Sequence, residues 1–243
     1  MRLRDKTAII TGGGTGIGWG IAKALATEGC RVAIAGRRVE KLREAAHTWS
    51  GPTPILYHAV DVADRQSVGQ LFTWAEEKLG QIDILVNAAG VNIRRRTLAE
   101  IDPEEWKQVM DINVNGAFLC MLAVLPQMRA RQDGVIVNIS SVAGKRAVEL
   151  GGVAYNASKF AMTALGTSAS LEERKNGIRV TNVYPGEVDT PILEQRPVPV
   201  TPEHRARILQ PEDIGILVAT ICSLPPRAHV PEIVIKPTLQ AYA

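Results

Sequence analysis

Cysteine is scarce in this chain and widely scattered. The three cysteines, Cys30, Cys120 and Cys222, are far apart and odd in number, so they indicate neither a disulfide framework nor a zinc site. Scattered cysteines that form no disulfide framework are typical of proteins from a reducing compartment. We therefore expect a cytoplasmic protein without a metal ion, whose 243 residues are enough to bury a core without cross-links.

Long apolar runs and a strong charge of one sign are also missing from the sequence. No uninterrupted apolar stretch approaches the roughly 20 residues of a membrane span, and no apolar signal region follows Met1. The net charge is only +3. The one basic run, Arg94–Arg96, indicates a solvated loop or a guide for an anionic substrate. The sequence therefore predicts no binding to membranes or nucleic acid.

What the sequence contains is a regular alternation of strand-length apolar segments and helix-length amphipathic segments. The predicted strands are nearly apolar throughout, as expected for parallel strands covered on both faces. They span Thr7–Thr11, Arg31–Gly36, Ile55–Asp61, Ile82–Asn87, Val135–Ile139, Arg179–Tyr184 and Ile233–Lys236. The predicted helices span Gly16–Glu28, Val39–Thr48, Arg65–Leu79, Pro103–Arg131, Tyr155–Lys175 and Pro211–Ser223. Asp64 and Asp102 are predicted to cap two of these helices.

This alternation predicts an α/β fold. Because crossovers between parallel strands are right-handed and cover the sheet, we expect a doubly wound parallel sheet of about seven strands, a Rossmann fold, with helices on both faces. No linker or repeat divides the chain, which indicates a single domain over residues 1–243. One segment, Glu187–Gln210, lacks periodicity and holds four prolines. Such a segment is typical of a substrate lid or, alternatively, of a disordered insertion.

The turn after the first predicted strand is rich in glycine and leads directly into a helix. Glycines let the chain turn tightly and let its backbone approach a phosphate, and the N-terminus of the following helix attracts an anion. The turn therefore predicts a dinucleotide-binding site, with a merely flexible loop as the alternative. Its candidate contacts are Gly12, Gly14, Thr15, Gly16, Ile17 and Gly18.

A second motif places a tyrosine and a lysine four residues apart at the start of a predicted helix. Tyr155 and Lys159 would share one helical face. A phenol has an ordinary pKa of about 10, and a nearby ammonium lowers it towards the range that proton exchange requires. Ser140 and Ser141 follow a predicted strand at the carboxyl edge, where open α/β sheets bind ligands. The alternative is a surface pair without a chemical role.

The glycine spacing, Thr-Gly-x-x-x-Gly-x-Gly, resembles that of the short-chain dehydrogenase/reductase family. Further matches follow in the family's order over Thr7–Lys236. They are Asp61, Asn87-Ala88-Ala89-Gly90, Asn113, Ser141, Tyr155-x-x-x-Lys159 and Pro185-Gly186. One departure is that Ser141 and Tyr155 are separated by one residue more than the family pattern has. The segment 144–154 between them is expected to line the substrate pocket, whose shape this extra residue would alter.

The resemblance implies a role for each matched residue. Tyr155 would exchange a proton with the substrate, and Ser141 rather than Ser140 would hold the substrate oxygen. Asn113 would hold a water in the proton relay, and Lys159 would lower the phenol pKa and bond the nicotinamide ribose. Further cofactor contacts are implied for Asp61 and Val62 around the adenine, for Asn87, Ala88 and Gly90 near the adenosine ribose, and for Pro185, Gly186, Val188 and Thr190 at the carboxamide.

The end of the second predicted strand bears on the choice of cofactor. Proteins of this fold that select NAD carry an acid about 20 residues past the glycine turn, where it binds the ribose 2′-hydroxyl. Here the strand ends in Gly36-Arg37-Arg38, and a guanidinium suits a 2′-phosphate. The sequence therefore predicts that NADP(H) is preferred over NAD(H). The alternative is that both arginines are solvated and either cofactor serves.

These inferences predict an NADP(H)-dependent oxidoreductase that interconverts a carbonyl and a secondary alcohol. The C-terminal segment 232–238 resembles the branch that oxidises short 3-hydroxy acids more than it resembles 3-oxoacyl-carrier-protein reductases, and Arg196, Arg205 and Arg207 would tolerate a carboxylate. The alternatives are a non-catalytic dinucleotide sensor, which should have lost Tyr155 or Lys159, a dehydratase or epimerase of the same fold, and a 3-oxoacyl-thioester reductase.

The resemblance also implies a homo-oligomer, a tetramer or a dimer. The helices predicted to pack between subunits are Pro103–Arg131 and Tyr155–Lys175. Their apolar residues suit such an interface or, equally, a core. They are Phe118, Leu119, Leu122, Phe160 and Leu165.

Overall fold

A computed structural model describes residues 1–241. Its seven strands form one sheet in the order β3-β2-β1-β4-β5-β6-β7, and every neighbouring pair is parallel. The strands are β1 Thr7–Thr11, β2 Arg31–Gly36, β3 Leu56–Ala59, β4 Ile84–Asn87, β5 Gly134–Ile139, β6 Ile178–Pro185 and β7 Glu232–Ile235. The prediction of a doubly wound parallel sheet with seven strands is confirmed.

Helices cover both faces of this sheet. The α-helices of residues 1–241 are α1 Gly16–Thr27, α2 Val39–Thr48, α3 Arg65–Leu79, α4 Pro103–Met110, α5 Gly116–Arg131, α6 Val153–Glu173, α7 Pro202–Arg205 and α8 Pro211–Cys222, of which the short α7 has no buried residue. Buried residues of α1, α2 and α8 form one apolar cluster, and those of α3, α5 and α6 form a second. Because side chains alternate along a strand, Ile10 of β1 belongs to the first cluster and Ile9 to the second.

The strands at the two edges of the sheet differ from the prediction of full burial. The central strands β1, β4 and β5 are buried along their whole length, whereas residues of β3 and β7 are partly exposed. Strand β3 is also shorter than the predicted Ile55–Asp61, because its neighbour β2 ends at Gly36, which pairs with Ala59. The other strand boundaries lie within two residues of the prediction.

The long predicted helix Pro103–Arg131 is not a single α-helix. A π-helical turn, Asp111–Asn115, lies between α4 and α5. Tertiary hydrogen bonds hold this turn, since the Asn113 side chain bonds the backbone of Val91 in both directions, and apolar periodicity carries no sign of them. The predicted helix caps are confirmed: Asp64 accepts from two amides of α3, and Asp102 accepts from the Glu104 amide.

The helical stretch Pro103–Arg131 is also the one segment of residues 1–241 that is long and apolar enough to cross a membrane by length and composition alone. Half of its most apolar window is buried inside the protein. Core helices of water-soluble proteins pass the same test, so this property carries no further conclusion.

The proline-rich segment 187–210 has more regular structure than the sequence predicted. It contains a 3₁₀ helix, Pro191–Gln195, and the short helix α7. Two ion pairs tie it together, because Arg196 lies 3.1 Å from Glu187 and Arg205 lies 2.5 Å from Asp189. Charge pairing between residues distant in sequence produces no local periodicity, which is why the sequence indicated an irregular segment.

Three buried asparagines cross the sheet side by side near its carboxyl edge. Asn87, Asn138 and Asn182 are directly paired on β4, β5 and β6. Asn87 donates to Asn138 at 3.0 Å, and Asn138 donates to Asn182 at 3.1 Å. Buried polar groups are stable only when hydrogen-bonded, so this ladder fixes the side chains of adjacent strand ends against one another.

The ladder predicts a stability effect at its middle residue. Replacing Asn138 with Leu, which is similar in volume, leaves two buried polar partners unbonded, each at a cost of about 1–3 kcal/mol. Urea denaturation should therefore give a free energy of unfolding that is lower by roughly 2–4 kcal/mol. Asn115→Leu at an exposed position is the control, expected to change stability by about 0.5 kcal/mol or less. An equal loss in both variants would contradict the ladder's role.

Candidate active site

The glycine-rich turn lies where the winding of the sheet reverses. Strand β1 has β2 on one side and β4 on the other, and open sheets of this kind bind ligands at such a point, beyond the carboxyl ends of the strands. Gly12 has a positive φ of 66°, and an added Cβ there would lie 2.8 Å from the Ala88 oxygen. At Gly18, a Cβ would lie 2.3 Å from the Gly12 oxygen. The turn therefore has no room for side chains at either position.

The N-terminus of α1 is open to an anion. Its N-cap residue, Thr15, makes no side-chain capping bond, and its first turn holds no acid. By contrast, two acids stand in the first turn of both α4 and α8. The free amides and the helix dipole of α1 together favour a negatively charged group, as the sequence predicted for a phosphate.

The next turn along the edge, Asn87–Gly90, is held against β1. The Thr11 hydroxyl accepts hydrogen bonds from the amides of Ala88 and Ala89, each at 3.3 Å. Within residues 1–241, the buried Asn87 Oδ1 atom has no hydrogen-bond partner. A buried acceptor without a partner is costly unless a ligand satisfies it, so this atom fits a residue that contacts a cofactor.

The remaining candidate cofactor residues lie around the same edge. Asp61 and Val62 follow β3, where the Asp61 carboxylate accepts from the Ala63 amide at 3.0 Å and Val62 is buried. Pro185 ends β6, and the Gly186 amide donates to Ile235 at 2.7 Å.

Two more candidate contacts begin segment 187–210. Val188 is buried, and Thr190 lies over the glycine turn, because a Cβ on Gly16 would come within 3.0 Å of its Cγ2 atom. The start of this segment therefore lies against the glycine turn that is predicted to bind a phosphate.

Arg37 and Arg38 lie at the end of β2, where both are exposed. Neither side chain makes an ion pair or hydrogen bond within residues 1–241. Both guanidinium groups are therefore available to an external anion. No acid occupies the strand end itself, since Gly36 precedes them.

Tyr155, Lys159 and Ser141 meet at the end of β5. Helix α6 begins at Val153, two residues earlier than predicted, so Tyr155 and Lys159 lie in its first two turns. The Lys159 Nζ atom lies 5.5 Å from the centre of the Tyr155 ring and donates to the Ile139 carbonyl at 2.8 Å. A Cβ on Gly90 would lie 3.7 Å from the same Nζ atom, so the Asn87–Gly90 turn borders this group.

The titration of the two groups is shaped by burial. Burial raises the pKa of the Tyr155 phenol, whereas a hydrogen bond with Ser141 and the charge of Arg96 lower it. Burial also lowers the pKa of Lys159 to about 8. The effect of Lys159 on the phenol pKa stays a prediction, because its Nζ atom lies near the ring and its bond to the Ile139 carbonyl leaves the positive charge in place. Ser141 and Arg96 lower the phenol pKa against the rise that burial causes.

The two adjacent serines point to different partners. The Ser140 hydroxyl is buried and donates to the Lys159 backbone carbonyl at 3.2 Å. The Ser141 hydroxyl accepts from the Ala143 amide at 3.1 Å and interacts with the Tyr155 phenol. Only Ser141 therefore lies beside the phenol.

Asn113 joins the π-helical turn to helix α6. Its Oδ1 atom accepts from the Val91 amide at 2.8 Å. Its Nδ2 atom donates to the Val91 carbonyl and to the Ser158 hydroxyl, each at 3.0 Å. Ser158 in turn donates to the Tyr155 carbonyl at 2.8 Å. Both amide hydrogens of Asn113 are thus used, and its role in holding a water stays a prediction.

One residue near the phenol was missed by the sequence reasoning. Arg96 belongs to the run predicted to be a solvated loop or an anion guide, yet it is only 7% exposed. Arg94 and Arg95 are exposed as expected. A run of three consecutive arginines does not indicate which of them is buried. The burial of an arginine depends on the distant segments that the fold brings together around its side chain.

The basic residues of segment 187–210 also differ from expectation. Arg196 and Arg205 are paired with Glu187 and Asp189, so their charges are neutralised within the segment and are not free for a substrate carboxylate. Arg207 is exposed.

A cleft of about 540 Å³ opens between the β4–α4 loop and the 3₁₀ helix Pro191–Gln195. It is lined by Val91, Asn92, Ile93, Arg94, Arg95, Glu105, Gln108 and Gln195. The cleft borders the loop that carries Arg96, but Tyr155, Lys159 and Ser141 are not among its lining residues.

Comparison with known proteins agrees with this architecture. The sequence profile of the short chain dehydrogenase family matches residues 6–198. An uncharacterised oxidoreductase of Staphylococcus saprophyticus is 34% identical over 239 residues, which are 98% of this chain and 99% of that protein. The chain belongs to the short-chain dehydrogenase/reductase family. It is an NAD(P)-dependent dehydrogenase or reductase that acts on a small-molecule substrate.

Solved structures give the same result. An alcohol dehydrogenase of the archaeon Thermococcus sibiricus, complexed with 5-hydroxy-NADP, superposes with a TM-score of 0.87 at 28% identity, covering 97% of this chain and 98% of that one. A 3-ketoacyl-(acyl-carrier-protein) reductase from Brucella melitensis, complexed with NADH, superposes with a TM-score of 0.88 at 27% identity, covering 96% and 98%. One fold thus holds both dinucleotides, and the choice between them depends on local residues.

Proposed function

We propose that this short-chain dehydrogenase/reductase interconverts a carbonyl and a secondary alcohol with NADP(H), and that Tyr155 exchanges the proton. The observation that carries the proposal is the meeting of Tyr155, Ser141 and Lys159 at the end of β5, beside the turn Asn87–Gly90. A non-catalytic dinucleotide sensor has no need for such a group and is not favoured.

The carboxyl edge fits a dinucleotide. Three features would receive the dinucleotide: the open amides of α1, the side-chain-free glycine turn and the unpartnered Asn87 oxygen. The bound dinucleotide would supply or accept the hydride. Lys159 would contact the ribose. The residues proposed to hold it are Gly12, Gly14, Thr15, Gly16, Ile17, Gly18, Arg37, Arg38, Asp61, Val62, Asn87, Ala88, Gly90, Tyr155, Lys159, Pro185, Gly186, Val188 and Thr190.

The chain's own residues move the proton. In reduction, the Tyr155 hydroxyl gives its proton to the substrate oxygen as the carbonyl carbon receives the hydride, and solvent later returns a proton to the phenolate. Ser141 holds the substrate oxygen beside Tyr155 and stabilises the phenolate by hydrogen bonding. Asn113 holds Ser158, which holds the Tyr155 backbone, and so fixes the position of the phenol. Oxidation follows the same steps in reverse.

The proposed substrate is a short 3-oxo acid or a related ketone. Segment 187–210 is proposed to act as a lid over the substrate site. Because Arg196 and Arg205 are already paired and Arg95 is paired with Glu105, the exposed Arg94 along the neighbouring cleft offers the better contact for a carboxylate. A 3-oxoacyl-thioester reductase is the second candidate, favoured by the similarity to the Brucella melitensis enzyme.

A homo-oligomer, tetrameric or dimeric, is part of the proposal. Phe118 and Leu122 of α5 and Phe160 of α6 are 43%, 49% and 44% exposed. Exposed apolar side chains on adjoining helices are typical of subunit interfaces. The three cysteines are free and buried, which is consistent with the cytoplasmic location that we propose.

The test of this function starts from a panel of ketones, 3-oxo acids and 3-oxoacyl thioesters, followed by the absorbance of NADPH. At least one carbonyl should be reduced, and Tyr155→Phe should lower kcat for it by about 10²–10⁴-fold, the usual contribution of a positioned acid. NADPH binding, measured by fluorescence titration, should be nearly unchanged. Tyr57→Phe is the control and should keep full turnover. Near-normal turnover by a folded Tyr155→Phe variant would contradict the assignment.

Cofactor preference gives a separate prediction at Arg37. A charge-assisted hydrogen bond to the 2′-phosphate contributes about 1.5–3 kcal/mol, so kcat/KM with NADPH should exceed that with NADH by roughly 10–100-fold. Arg37→Ala should remove most of this preference while leaving NADH activity almost unchanged. Arg43→Ala, which removes an exposed arginine of α2 paired with Glu40, is the control. An equal loss with both cofactors would make Arg37 a structural residue.

A further inference from the structure

Arg96 joins three separate segments through one buried guanidinium. It lies in the loop after β4, and its Nε atom donates to the Ile93 carbonyl of the same loop at 2.9 Å. Its Nη1 atom donates to the Leu150 carbonyl, in the segment before α6, at 2.6 Å. Its Nη2 atom donates to the Gln195 carbonyl, in the 3₁₀ helix of segment 187–210, at 2.5 Å. The planar fork of arginine allows all three bonds at once.

The backbone of Arg96 also fixes the start of the catalytic helix. Its carbonyl accepts from the amide of Val153, the first residue of α6, at 3.1 Å. Gly152, which precedes α6, has a φ of 75°, and an added Cβ there would lie 2.4 Å from the Arg96 Cβ atom. Helix α6 therefore begins in direct contact with Arg96, two residues before Tyr155.

The charge of Arg96 has no acidic partner. Within residues 1–241 its guanidinium bonds only to backbone carbonyls, whereas Arg95 is paired with Glu105 and Arg196 with Glu187. An arginine stays charged in proteins, and a buried cation without an anion is costly. Among the groups around it, the charge acts on the Tyr155 phenol and on Arg196.

We propose that Arg96 is a positioning residue for the proton transfer. Its fork fastens the 3₁₀ helix Pro191–Gln195 to the start of α6, and its charge favours the ionised form of Tyr155. The proposal rests on the proposed function, since it assigns Arg96 a role only through Tyr155. It explains why a buried guanidinium without a carboxylate stands where segment 187–210 meets the catalytic helix.

The charged and polar groups that face Tyr155 come from three elements. Arg96 faces it from the β4–α4 loop and Ser141 from the end of β5, while Lys159 lies along its own helix. Removing Arg96 therefore changes one of two nearby positive charges and leaves the Ser141 hydrogen bond in place. The phenol titration is therefore expected to shift to higher pH when Arg96 is removed.

The first arm of the test follows the phenol directly and needs neither cofactor nor substrate. Protein carrying ¹³Cζ-labelled tyrosine is titrated by NMR, with the Tyr155 signal identified as the one that Tyr155→Phe loses. In Arg96→Met the midpoint should move to higher pH by more than the error of the titration. In Arg95→Met, which removes an exposed neighbouring charge, it should stay in place. A folded Arg96→Met variant that titrates like Arg95→Met overturns the electrostatic role.

The second arm separates the fork from the charge. Arg96→Lys keeps the charge but loses the planar fork, so its Tyr155 midpoint should stay near that of the unmodified protein. Amide hydrogen exchange over residues 191–196 should become at least about tenfold faster, which corresponds to about 1.4 kcal/mol of lost local stability. Unchanged exchange overturns the fastening role, and this arm decides alone if Arg96→Met does not fold. Neither arm measures turnover, so failure here is distinct from failure of Tyr155→Phe to lose activity.

Discussion

Parallel pairing of all seven strands determines where each loop that follows a strand must lie. A parallel neighbour can be reached only by a crossover that returns the chain to the opposite end of the sheet, so every strand ends at the same edge. The glycine turn, the Asn87–Gly90 turn, Ser141 and the Pro185–Gly186 turn all follow strand ends and meet there for that reason. Helix α6 then brings Tyr155 to the edge from the side.

The second organising feature is positive charge that is buried without acids. Lys159 and Arg96 are both buried, and both donate to backbone carbonyls. Burial holds the pKa of Lys159 at about 8, below its value of about 10.4 in an unfolded chain. The unfolded chain therefore binds more protons between these two values, and the cost of burying this ammonium falls as the pH rises through that window. The buried positive charges therefore reduce stability, and they lie at a site that favours anions and a phenolate.

Much of this architecture could be predicted from the sequence, because it follows from local signals. Apolar strand segments, the caps at Asp64 and Asp102, and the glycine turn all act within a few residues. The contacts of the Lys159 ammonium could not be predicted from such local signals. Helical spacing places Lys159 near Tyr155 but says nothing of the Ile139 carbonyl that engages its ammonium.

The features that escaped prediction all depend on contacts between distant segments. The π-helical turn is held by Val91, the order of segment 187–210 comes from ion pairs across it, and Arg96 is buried by three segments that meet only in the fold.

Hydride transfer at this edge of the sheet separates an enzyme from a protein that merely binds a dinucleotide. The most direct measurement supplies NADPH deuterated at the transferable position of its nicotinamide, together with the carbonyl compounds, and analyses the products by mass spectrometry. We expect an alcohol that carries deuterium on the former carbonyl carbon, and we expect its formation to be nearly lost in Tyr155→Phe. Tight binding of NADPH by the folded protein, with no deuterated alcohol from any carbonyl compound, would contradict it.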